Sequence, residues 1–107
     1  MVDQEQYDRY RDDAKVLAAI GVRVDAQAGR VTVRLPRSVA QAAVDAWERD
    51  EEGGVGPESN EQYVLRDRAA ELAFIGLAIS QRGRWEGEEV VVDLDVASAG
   101  AAVRASQ

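Results

Sequence analysis

Two carboxylates, Asp93 and Asp95, have the spacing best suited to chemistry in this chain. They close the run Val90-Val91-Val92-Asp93-Leu94-Asp95, which alternates as a strand does, and residues i and i+2 of a strand share a face. Carboxylates so placed could hold a magnesium ion, one acting as nucleophile and the other as general acid. Little else is equipped for catalysis. The 107 residues include no histidine and no cysteine. That removes the side chain that titrates between about pH 5 and 8, the thiolate and the usual zinc, copper and non-haem iron ligands. Serine–histidine and cysteine–histidine catalysis are excluded with them. Carboxylates, hydroxyls, Lys15 and arginines remain.

The six-residue run resembles the hydrophobic-strand-DxD motif that opens phosphatases of the haloacid dehalogenase type. The resemblance implies Asp93 as nucleophile, Asp95 as general acid and magnesium between them. In that family the motif begins a large α/β fold that supplies a lysine and further acidic residues downstream. Here 12 residues follow Asp95, so the pair reads instead as the polar face of a half-buried strand. No metal, no cofactor and no enzymatic activity are expected.

A second candidate is Gly53-Gly54-Val55-Gly56 ahead of a helix start, where free N–H groups could cradle an anion. No Gly-Lys-Ser/Thr follows, and Asp50, Glu51, Glu52, Glu58 and Glu61 crowd the loop. It reads as a helix–helix connection.

Charge layout is more informative. Between Val22 and Arg37, Arg23, Arg30, Arg34 and Arg37 stand against Asp25, a balance of +3. Between Asp45 and Glu61, Asp45, Glu48, Asp50, Glu51, Glu52, Glu58 and Glu61 stand against Arg49, a balance of −6. The whole chain carries −7, so its far field repels nucleic acid. Three or four arginines without neighbouring aromatics make a poor nucleic-acid footprint. Asp45, Glu48, Asp50, Glu51, Glu52, Glu58 and Glu61, with Arg23, Arg30 and Arg34, are the candidate partner-binding residues.

These residues need elements to hold them. Asp3 caps a first helix to about Ile20, with Tyr7, Tyr10, Ala14 and Leu17 on one face. Gly21 stops it. Val22 and Val24, then Val31, Val33 and Leu35, alternate with polar residues around Gly29, which predicts a β-hairpin closed by Pro36. Ser38-Val39-Ala40-Gln41 has the capping-box pattern and opens a second helix to about Glu51, with Val39, Ala40, Ala43 and Trp47 inward. Ser59-Asn60-Glu61-Gln62 repeats it and opens a third helix to about Gln81, ended by Gly83. A last strand covers Glu89 to Val96. The prediction is one α+β domain over residues 1–96, in the order α-β-β-α-α-β, with a three-stranded, mainly antiparallel sheet and helices on one face. Residues 97–107 form a tail that could extend the strand, form a helix or fray.

Composition fits such a domain, since 46% of the residues are hydrophobic and fall in periodic blocks. Twelve arginines against one lysine read as GC-rich coding in a bacterium or phage. The acidic N-terminus lacks the apolar core of a secretory signal. No apolar run is long enough to span a bilayer, so a cytoplasmic location is expected.

The third helix stands out. From Ala69 to Ile79 it is apolar around most of its circumference, as in a helix covered on several sides. One small sheet and two helices offer limited cover, so a homodimer is expected, with Ala73, Gly76, Leu77 and Val91 at its interface. The expected function is a small, acidic, non-catalytic adaptor or regulator. One alternative is an inhibitor or immunity-type protein that binds a basic or nucleic-acid-binding target through its acidic surface, and a lesser one is a magnesium-dependent enzyme using Asp93 and Asp95.

Overall fold

The computed structural model describes residues 4–26, 32–49 and 57–107. Seven elements follow in order: α1 (Gln4–Ala26), β1 (Thr32–Pro36), α2 (Arg37–Arg49), α3 (Asn60–Arg82), β2 (Arg84–Glu86), β3 (Glu89–Asp93) and α4 (Val96–Ser106). The expected class holds: one α+β unit with a three-stranded antiparallel sheet and helices against it. The strands run in the spatial order β1-β3-β2.

The hairpin lies elsewhere in the chain than expected. Val22 to Asp25 are helical, because Leu17, Ile20 and Val24 continue the stripe of α1 at helical spacing and all three are buried. That stripe overrides the local alternation of Val22 and Val24. Arg23 is therefore an exposed helical residue, not a strand residue. The observed hairpin pairs β2 with β3, Trp85 opposite Val90 and Glu86 opposite Glu89. Its two-residue turn places Gly87 at φ 65°, a left-handed conformation that costs glycine no steric penalty.

Gly21 does not stop α1. A Cβ there would overlap the carbonyl oxygen of Ala102, so the glycine admits the backbone of α4. Gly76 does the same for α2 and α3, where a Cβ would overlap the carbonyl oxygen of Ala43. The α1–α4 and α2–α3 contacts are the two most extensive between helices.

Val33 and Leu35 of β1 and Val90 and Val92 of β3 face the core, where they join Leu17, Ile20, Leu72, Ile75 and Ile79. Full burial of such a side chain contributes roughly 1.5–3 kcal/mol. Thr32, Arg34, Arg84 and Asp93 sit on the sheet's other, exposed face. Trp47, expected inward, is exposed on α2, while Ala40, Ala43 and Val44 carry that helix's packing.

The last strand is shorter than expected. It ends at Asp93, and the chain then turns into α4, so residues 97–106 form a helix. Ser59 caps α3 as the sequence indicates: its hydroxyl accepts the Gln62 N–H, and the Gln62 side chain accepts the Glu58 N–H. Among the described residues no helix is long and apolar enough to cross a membrane.

Candidate interaction surface

Asp93 and Asp95 serve two different elements. Asp93 ends β3, where its carboxylate accepts the Thr32 hydroxyl and its carbonyl accepts Arg82 Nε at 2.8 Å. Asp95 is the N-cap of α4 and accepts the Ser98 N–H at 2.7 Å. Among the described residues no three carboxylates converge on a common point. The two residues therefore complete a sheet and a helix.

The bond from the Ser98 backbone, opposed in part by burial, holds the Asp95 carboxyl below its ordinary pKa. A carboxylate with a lowered folded pKa contributes stability above its unfolded pKa and loses it as pH falls through the folded value. Asp95→Asn retains an equally good cap. The variant should melt like the parent at neutral pH and show a shallower loss of melting temperature on acidification below pH 4. Parallel thermal melts across that range are the check.

Four residues of the expected acidic patch are among the described residues. Asp45 and Glu48 lie exposed on α2, with Asp45 accepting from Gln41 at 2.9 Å. Glu58 precedes α3, and Glu61, in its first turn, approaches Arg11 at 3.9 Å. Asp50, Glu51, Glu52, Arg30 and the glycines at 53, 54 and 56 lie outside the described residues. Arg34 pairs with Glu89 at 3.5 Å on the exposed sheet face, and Arg23 stands apart on α1.

The residues expected at a dimer interface separate as well. Gly76 is buried against this chain's own α2, so replacing it reports on the fold and not on association. Val91 is only 6% exposed. The register sets it between Arg34 and Arg84, long side chains whose aliphatic stems shield such a neighbour. Ala73 and Leu77 remain half-buried on α3.

Helix α3 has two distinct apolar sides. Leu65, Leu72, Ile75 and Ile79 are buried on one, and α3 contacts α1, α2 and β3. On the other, Phe74 is 58% exposed and Tyr63 53%, with exposed Ala70 between them and half-buried Leu77 beyond. Phe74 was missed from the sequence because its apolar neighbours on every side hide which of them turn outward.

Beside this ridge runs a groove. Helices α3 and α4 meet only lightly, which leaves two adjoining hollows of about 370 Å³ each. Glu71 lines both; Phe74, Leu77 and Ala97 line one, while Val64 and Ala101 line the other, with Leu17. No family model, curated protein or solved structure matches the chain.

Proposed function

We propose that this chain is a small, acidic, non-catalytic interaction protein that acts as a homodimer, in the role of an adaptor or regulator. The observation that carries this reading is the outward side of α3. An aromatic ring more than half exposed, with exposed Ala70 and half-buried Leu77 beside it and Tyr63 beyond Asp67 on the same side, forms an apolar patch and not a scattered surface residue. Monomers rarely keep such a patch in water. Scattered single residues such as Val22 need no such account.

Light scattering on a sizing column tests the reading. The expected mass at micromolar concentration is about twice 11.6 kDa, with little dependence on salt because the contact is apolar. A monomer at hundreds of micromolar would overturn it. In that case the exposed carboxylates Asp45 and Glu48 would become the better candidate surface, for a basic target.

A further inference from the structure

We infer that two copies of this chain associate by packing α3 against α3 in antiparallel fashion, with Phe74 of each seated over Ala70 of the other; this rests on the homodimer reading. The outward residues of α3 are Tyr63, Asp67, Ala70, Phe74, Leu77 and Gln81, which recur at alternating steps of four and three. That is the spacing of a coiled-coil seam, which suits a partner helix. All six are exposed or half-buried. Leu65, Leu72 and Ile79 occupy the opposite side and are buried in the chain's own core, so the seam is free of intramolecular duty.

The register follows from size. A twofold axis facing the helix at the level of Leu72 sets Ala70 opposite Phe74 of the partner subunit, and Phe74 opposite the partner's Ala70. It also sets Tyr63 opposite the partner's Gln81. Large against small is the pairing that lets facing layers interdigitate, and a twofold contact repeats it on both sides of the axis. A parallel arrangement would set Phe74 against Phe74 and Ala70 against Ala70, leaving one layer crowded and the next hollow.

Charge favours a second copy as the occupant. Each copy brings −7, so most approaches are repulsive. The α3 ridge and its groove carry Asp67, Glu71 and Asp95 against Arg68, Arg82 and Arg104, a local balance of zero. Two copies can meet there without adding to their mutual repulsion.

Ala70→Arg separates the interface from the fold. Position 70 is exposed in the single chain, and arginine is a good helix former, so the variant should keep its circular-dichroism spectrum and melting behaviour at low concentration. It should weaken dimerisation at least a hundredfold by sedimentation equilibrium. Gln41→Arg, the same charge change at an exposed position of α2, should leave the dimer intact. A folded Ala70→Arg variant that dimerises like the parent would overturn this register while the homodimer reading stands. A monomeric parent would overturn both. To fix the antiparallel sense, the Tyr63→Cys and Gln81→Cys variants are mixed and oxidised. A crosslink between unlike positions that outruns either like pair is expected, and the reverse order would refute it.

Discussion

Gly76→Ala should destabilise the protein by about 3 kcal/mol, the cost of forcing extra bulk into a closed contact. The sign is what makes the experiment informative. In an isolated helix, alanine is favoured over glycine by about 1 kcal/mol. Here the added Cβ would overlap the carbonyl oxygen of Ala43 and crowd the Val44 amide. Both are backbone atoms of a helix, so the neighbour cannot yield by turning a side chain. The two helices must separate, and Ala40, Ala43 and Val44 lose contact with the core they join. Chemical denaturation should show a lower midpoint for Gly76→Ala, whereas Ala19→Gly, at an exposed position of α1, should cost only its helix propensity. A Gly76→Ala protein as stable as the parent would mean that α2 and α3 do not approach so closely.

The second large effect concerns an ion pair joining α1 to α2. Asp13 is 7% exposed, and Arg49 grips it with both terminal nitrogens, Nη2 at 2.8 Å and Nη1 at 3.3 Å. Two parallel bonds of this kind fix orientation as well as supplying charge. Removing one partner of a buried pair costs about 3–5 kcal/mol, because the remaining charge stays desolvated. Asp13 is buried but Arg49 is exposed at the end of α2, which places Arg49→Met below that range, at about 2 kcal/mol. The neighbouring Glu48→Ala, on an exposed side chain, should change stability by about 0.5 kcal/mol or less. Denaturant midpoints for the two variants should differ accordingly. If Arg49→Met equals Glu48→Ala, the pair contributes nothing beyond a surface contact.

Much of the fold was legible in single residues. Ser59 and Gln62 announced the start of α3, since a hydroxyl and an amide at that spacing satisfy free N–H groups at a helix N-terminus. Val90 and Val92 gave the core face of β3 through strict alternation, and Pro36 ended β1. Where two periods compete, the local pattern misleads. Val22 and Val24 alternate as in a strand, yet Val24 also lies seven residues after Leu17, and burial decides for the helix. Asp95 illustrates the same ambiguity, because an aspartate continuing a strand's polar face is also a strong N-cap. Gly21 reads as a stop and Gly76 as a site of close approach by a second subunit, whereas both admit crossing backbones of this chain's own helices, a partner that no single-sequence pattern identifies. The Asp13–Arg49 pair links positions 36 apart and leaves no local signature. For the candidate surface, the apolar excess of α3 was visible, while the identity of its outward residues depended on how α1 and α2 pack.

The crossing at Gly21 has a consequence for biosynthesis. Helix α1 finds its main partner in α4, which begins some seventy residues later in the chain. During translation the apolar stripe of Leu17, Ile20 and Val24 is made first and covered last. Contacts so distant in sequence are slow to close, and the exposed stripe is open to aggregation in the interval. A message broken before the codon for Val96 would yield a chain whose first helix keeps α3 but lacks its most extensive partner, so quality control would meet it with an uncovered apolar stripe and not as a shortened but serviceable protein.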